Sequence, residues 1–275
     1  MGAEEPQFLE VGEGRPRRIA YRLADAATGE APALLWLPGF LSDMASTKAL
    51  ALAGFAEAHG LPMLRFDYSG HGLSPGNLLQ ASIGDWLEEA EAMLGLVGSK
   101  TRRVIVVGSS MGGWIALLLA RKLAHEGAIE RLAGLVLIAP AWNMTERLMW
   151  RRLTPPIREQ IERDGVYYEP SLYGDPYPIT KHLIEEGRQH LLRGGTLDLD
   201  LKVRILQGMC DPDVPWGHAL DLVDLLGCGD VELTLIKDGD HRQSRPEDLR
   251  RLEATVAALI QHVDGVTASS RSAGR

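Results

Sequence analysis

Cysteine is scarce: the 275 residues contain two, Cys210 and Cys228. Two thiols make neither a disulfide framework nor the paired spacing of a zinc site. Cys210, next to Asp211, reads as a buried structural thiol, and a reducing, cytoplasmic compartment is expected. Basic charge is in deficit. The 29 lysines and arginines face 37 acidic residues and leave a net charge of −8, the wrong sign for a nucleic-acid stripe, so no nucleic-acid partner is expected. No apolar run approaches the roughly 18 residues of a membrane span. The opening Met1-Gly2-Ala3-Glu4-Glu5-Pro6 lacks the basic start and apolar core of a signal peptide, and Pro6 spoils a myristoylation pattern. No internal repeat is visible, and the sequence leaves the oligomeric state open.

What is there is an alternation. Strands are expected at Arg17–Leu23, Ala33–Leu37, Met63–Phe66, Arg103–Val107 and Leu132–Ile138. Helices at Ser46–His59, Ser82–Val97 and Met111–Ala124 lie between them. With 45% hydrophobic residues, the chain can bury a substantial core. Such alternation implies an α/β fold, a mostly parallel sheet covered on both faces. The rhythm breaks between Trp142 and Asp200, where Met144–Arg163 and Ile179–Leu192 look helical and strand signals are few. It then resumes with strands at Val203–Gln207 and Val231–Ile236. The expectation is one domain over residues 1–265, a helical cap inserted at about 141–200, and a frayed tail at 266–275.

The motif Gly108-Ser109-Ser110-Met111-Gly112 sits between the strand ending at Val107 and an apolar helical run. Strand, G-x-S-x-G, helix is the nucleophile elbow of an α/β-hydrolase. The glycines remove Cβ atoms that a bend this tight would not admit. Ser110 is the candidate nucleophile. A serine hydroxyl needs a base, and in this fold the partners follow in the order Ser, then Asp or Glu, then His.

The strand Val203–Gln207 leads into Gly208-Met209-Cys210-Asp211-Pro212-Asp213-Val214-Pro215. The G-x-x-D-x-x-V-P spacing favours Asp211 as the acid over Asp213, which could instead cap the next helix. Of the three histidines after Asp211, His218 and His262 belong to helices. His241 follows a strand in the turn Asp238-Gly239-Asp240-His241 and is the candidate base. Two backbone donors are expected for an oxyanion, Met111 N–H and Phe40 N–H, the latter from Pro38-Gly39-Phe40 after an early strand.

The pattern D-x-x-G-x-G-x-S at Asp67–Ser74 reads as architectural, with His71 structural because it precedes the other members in chain order. In the cap, Leu148, Met149, Trp150, Leu153, Ile157 and Ile161 form an apolar stripe that either packs on the body or lines an acyl slot. Arg147, Arg151, Arg152 and Arg158 share that segment and read as a solvated face, with an anion anchor as the minority view.

Linked motifs carry a more specific resemblance. Pro38-Gly39-Phe40-Leu41-Ser42, Thr47-Lys48-Ala49-Leu50, Arg65-Phe66-Asp67-Tyr68-Ser69-Gly70, Val107–Trp114, Gly208-Met209…Asp211…Val214-Pro215-Trp216 and Asp240-His241-Arg242 resemble one α/β-hydrolase subgroup. That subgroup comprises the mitochondrial palmitoyl-protein thioesterases, also described as mycophenolic acid acyl-glucuronide esterases, with their bacterial relatives. The likeness runs from about Arg17 to His262 and is weakest in the cap; no transit peptide is expected here. It implies Ser110, Asp211 and His241 as the triad of an esterase and thioesterase. Small-molecule or acyl-protein substrates are implied, with no metal and no organic cofactor. A peptidase, C–C hydrolase or perhydrolase on the same triad, and a non-catalytic binding protein, are the competing functions. Dehalogenase and epoxide-hydrolase chemistry would need Asp where this chain has Ser110.

Overall fold

The structure is a computed structural model. It describes residues 5–25, 31–101, 103–170, 176–193, 197–227 and 229–272, with side chains described through residue 261. Its centre is an eight-stranded sheet in the order β1-β2-β4-β3-β5-β6-β9-β10. The strands are β1 (Gln7–Val11), β2 (Arg17–Ala24), β3 (Ala33–Leu37), β4 (Met63–Phe66), β5 (Val104–Ser109), β6 (Leu132–Ile138), β9 (Val203–Gly208) and β10 (Val231–Ile236). β1 with β2 and β2 with β4 pair antiparallel, and the other pairs are parallel. The largely exposed first strand, Gln7–Val11, adds an edge that the expected order lacked.

Side chains alternate across the sheet as the two-residue strand period requires. Leu35, Leu37, Val104, Val106, Leu135 and Leu137 face one layer; Leu34, Trp36, Ile105, Val107, Val136 and Ile138 face the other. The first layer is built on α2 (Ile83–Gly98) and α3 (Met111–His125), the second on α1 (Thr47–Ala58) and α7 (Pro246–Ser272). Every residue of α3 from Met111 to Ala120 is buried, as a helix apolar on all sides must be. Ser82 caps α2 by accepting from Asp85 N–H at 3.1 Å, which covers one of the free donors at that end. The backbone of α7 continues to Ser272, into the stretch expected to fray.

The cap departs from the expected pair of long helices. Met144–Arg163 is not one helix. A turn of π-helix (Thr145–Met149) and a 3-10 turn (Trp150–Arg152) precede α4 (Pro155–Asp164). The break has a simple cause: Pro155 and Pro156 lack N–H donors and fit only the first turn of a helix. Ile179–Leu192 divides into strand and helix. β7 (Val166–Glu169) pairs antiparallel with β8 (Tyr177–Thr180), and α5 (Lys181–Gly187) follows, capped by the Thr180 hydroxyl. The β-branched and aromatic residues of this hairpin favour strand. The chain then re-enters the body through β9, and α6 (Trp216–Leu225) follows it.

Candidate active site

Ser110 stands where β5 turns into α3, with φ 53° and ψ −117°, a conformation that L-residues rarely adopt. Two bonds fix the turn. Ser110 N–H donates to Ile138 O at 2.8 Å, and Ala141 N–H donates to Ser110 O at 3.0 Å. The flanking glycines are required by space. A Cβ on Gly112 would lie 2.1 Å from Leu37 O, and one on Gly108 would lie 2.4 Å from Gly112 O. Both obstacles are backbone and cannot rotate away. Ser109 points into the protein and is 7% exposed, whereas Ser110 is half-buried.

Asp211 and His241 are brought together by an equally close approach. The chain past β10 crosses the end of β9, so that a Cβ on Gly208 would meet Gly239 O at 2.3 Å. Cys210 N–H donates to Gly239 O at 2.9 Å, and Met209 N–H to Ile236 O at 2.8 Å. His241 Nδ1–H then donates to Asp211 Oδ2 at 2.8 Å. The Asp211 carboxylate is fully enclosed while the His241 side chain is 19% exposed. Asp211 Oδ1 accepts from Asp213 N–H at 2.9 Å and Val214 N–H at 2.8 Å, and Gln207 Nε2 donates to Oδ2 at 3.3 Å. Asp213 is exposed and caps no helix, since α6 opens at Pro215 without a side-chain cap. Ser110 Oγ and His241 Nε2 stand at the same edge of the sheet but are not hydrogen-bonded to each other.

Among the described residues, Asp211, Asp213 and His241 are a group whose donor atoms lie within 4.8 Å of one another, a possible cation site by spacing. The donor set argues otherwise. Both Asp211 oxygens already accept two hydrogen bonds each. A metal would have to displace the His241 N–H that turns the imidazole toward the site.

The loop after β3 runs against the elbow. A Cβ on Gly39 would touch Ser110 Cβ at 3.3 Å and Oγ at 3.9 Å. Ser42 N–H donates to Gly39 O at 3.1 Å, closing a turn around Phe40 and Leu41, whose φ is 58°. Among the described residues, no backbone carbonyl accepts from Phe40 N–H or Met111 N–H. Both remain available to an oxyanion. The next loop supports this one. Asp67 accepts from Met44 N–H and Leu73 N–H, each at 2.7 Å, and Ser74 Oγ donates to Asp67 O at 2.6 Å. Burial holds the Asp67 carboxyl above the usual range, against the pull of these backbone donors.

His71 lies among Phe40, Tyr68 and Trp86, with its Nδ1–H donating to Ser69 O at 3.2 Å. Burial lowers its pKa to about 4. It touches neither Asp211 nor His241. Phe40 also meets Tyr177 of β8 edge-on at 5.8 Å, so the cap rests on the loop carrying the Phe40 N–H.

Cys210 corrects an expectation: it is exposed, because its position in the turn after β9 points Sγ away from the sheet toward Lys237 O at 3.4 Å. Cys228 lies outside the described residues. Within the apolar stripe, Met149, Leu153 and Ile161 are buried in the core, and Leu148, Trp150 and Ile157 pack partly against it. Most of the cap arginines are spoken for. Arg147 pairs with Asp221, Arg151 with Glu146 at 3.5 Å, and Arg158 donates to Trp150 O at 3.0 Å. Arg152 donates to Asp213 O at 2.8 Å, tying the cap to the loop of Asp211.

The sequence reading missed three residues around the site: Arg152 in this bonding role, Gln207 and Lys48. Gln207 is fully buried and also donates to Val214 O at 2.9 Å. Its signal was an amide at the end of an otherwise apolar strand. Lys48 on α1 donates to Arg242 O; only its place in the motif Thr47–Leu50 marked it.

Comparison with known proteins places this geometry in company. The family described as serine aminopeptidase, S33 matches residues 33–165, a stretch with Phe40 and Ser110 but without Asp211 or His241. The mitochondrial palmitoyl-protein thioesterase ABHD10 of Rattus norvegicus is 34% identical over 241 residues, which are 87% of this chain and 78% of that protein. A solved hydrolase from Agrobacterium vitis S4 aligns with a TM-score of 0.89 at 43% identity, covering 93% of this chain and 98% of that one. Mouse α/β-hydrolase domain-containing protein 10 aligns with a TM-score of 0.81 at 31% identity, covering 94% of this chain and 99% of that one.

Proposed function

Because this chain belongs to the α/β-hydrolase family that includes the ABHD10 palmitoyl-protein thioesterases, we propose that it hydrolyses acyl esters and thioesters through an acyl-enzyme on Ser110. The observation that carries the reading is the bond from His241 Nδ1–H to enclosed Asp211 Oδ2 at 2.8 Å. That bond selects the tautomer whose Nε2 lone pair is free to take a proton.

The steps follow from it. His241 Nε2 removes the Ser110 proton as Oγ attacks the substrate carbonyl. Negative charge develops on the carbonyl oxygen, and Phe40 N–H and Met111 N–H receive it. The tetrahedral adduct collapses, and His241 Nε2–H gives its proton to the departing thiolate or alkoxide. Water then attacks the acyl-enzyme and loses a proton to Nε2; the second adduct collapses as Nε2–H returns that proton to Ser110 Oγ, releasing the acid and free Ser110. Asp211 stays ionised and steadies the imidazolium. Substrates are acyl small molecules or acylated proteins.

The test is labelling with a fluorophosphonate probe, followed by rates across p-nitrophenyl esters, acyl thioesters and an aminoacyl amide. Wild type labels and turns over esters and thioesters. Ser110→Ala does neither, with only about 10³–10⁴-fold acceleration over water left. Ser109→Ala, whose side chain faces inward, keeps both. Activity in Ser110→Ala, or cleavage of the amide alone, would overturn the reading.

A further inference from the structure

Lys48 occupies an unusual place. It lies in the first turn of α1, the helix that follows the Phe40 loop, and its Nζ reaches across to the carbonyl of Arg242, the residue after His241. Among the described residues, no carboxylate pairs with it at ion-pair distance. The charged groups facing the ammonium are Asp240 and Arg242 from the His241 loop, Asp248 from α7 and Asp211 from the loop after β9. Lys48 is half-buried, and a long cation held in one place loses hydration and side-chain freedom.

The Arg242 carbonyl also accepts from Ser244 Oγ at 2.9 Å, a bond local to the loop. Gln243, at φ 42°, is fixed by Gln243 N–H to Asp240 Oδ1 at 2.9 Å and by Gln243 Nε2 to Leu206 O at 3.2 Å. Those bonds fix the far side of the loop toward β9. The Lys48 bond comes instead from α1, the helix that follows the Phe40 loop. His241 is thus held directly by Asp211, and the residue after it by Lys48.

We propose that Lys48 is a positioning residue for His241, an ammonium clamp from α1 to Arg242 O that fixes the imidazole relative to Ser110 and the Phe40 N–H. The proposal rests on the reading of Ser110 and His241 given above. It touches no reacting atom, so its effect runs through geometry: a misplacement of about 1 Å in a base can cost on the order of 10²-fold. Burial lowers the Lys48 pKa to about 8. Above that pH the clamp becomes an ordinary amine hydrogen bond, weaker than the charge-assisted one.

The experiment compares wild type, Lys48→Met, Lys48→Arg and Ser110→Ala in ester hydrolysis from pH 6 to pH 10, with thermal melts of each. Lys48→Met lowers kcat about 10²-fold with KM little changed, and slows fluorophosphonate labelling in step. Lys48→Arg restores most of kcat, and its activity persists through the alkaline range where wild type declines. Wild-type kcat in folded Lys48→Met overturns the proposal. If Lys48→Met does not fold, an alkaline limb of Lys48→Arg that coincides with that of wild type overturns it equally. Activity in Ser110→Ala would instead defeat the underlying reading of the site, so the two failures are distinct.

Discussion

At the scale of single residues, the two aspartates after β9 make the sharpest contrast. Asp211 is enclosed and accepts from two backbone N–H groups, an amide and an imidazole. Asp213, two residues on, is exposed and reaches none of these partners with its side chain. Asp211→Asn keeps the shape but offers an N–H where His241 needs an acceptor, so the ring turns or changes tautomer. Turnover is expected to fall by about 10⁴, while Asp213→Asn stays close to wild type. Steady-state kinetics on folded, equally stable variants would decide it; a greater loss in Asp213→Asn would move the acid to that residue. Gln207 and Lys48 show why the surroundings of such residues are harder to read. Their roles come from bonds across 4 and 194 positions of sequence, and the second kind leaves no local pattern.

At the scale of elements, the body was legible and the cap was not. β3, β4, β6 and β10 fall at the expected residues because β3 and β6 are short apolar runs, β4 is apolar but for Arg65, and β10 alternates polar with apolar residues. β1 escaped notice because its five residues, Gln7-Phe8-Leu9-Glu10-Val11, are short and make no regular alternation, and as an edge strand it is mostly exposed. In the cap, the helical spacing of Met144–Arg163 was real, but Pro155 and Pro156 reset it, and the Tyr-rich Val166–Tyr168 paired as strand. The site followed the same division: Ser110, Asp211 and His241 come from ordered strand ends, whereas Tyr177 reaches Phe40 only through the unforeseen hairpin. That contact makes the cap a candidate for setting acyl preference. Each CH₂ buried in an apolar slot contributes about 0.8 kcal/mol, about fourfold in kcat/KM. Tyr177→Ala is expected to lower kcat/KM for long acyl chains more than for acetyl esters. A chain-length series unchanged by the substitution would show that Tyr177 serves cap packing only.

At the scale of the whole molecule, buried histidines tie stability to acidity. Burial lowers both His71 and His218 to about 4; nearby Arg147 adds to the effect at His218. In the unfolded chain each titrates near about 6.5. Between those values the unfolded state binds more protons than the folded one, so their contribution is complete above about pH 6.5 and is lost as pH falls toward about 4. Asp67 and Glu89, raised by burial, act in the opposite direction on the acid side. Urea unfolding of wild type against a His71→Gln/His218→Gln variant separates the two. The variant should lose less stability between pH 6.5 and pH 4.5, and parallel curves would refute the assignment.

The backbone of Ser110 has a consequence for how this protein would respond to selection. Its φ of 53° and ψ of −117° are a conformation that costs a side-chain-bearing residue on the order of 1–3 kcal/mol. Glycine would sit there with less strain, so Ser110→Gly should melt at a higher temperature than wild type while keeping no more turnover than Ser110→Ala. A position where heat resistance can be gained is then one where turnover through Ser110 is forfeited. A library screened for survival of heating alone would enrich inactive sequences, and only a screen that demands turnover in the same round would keep the serine.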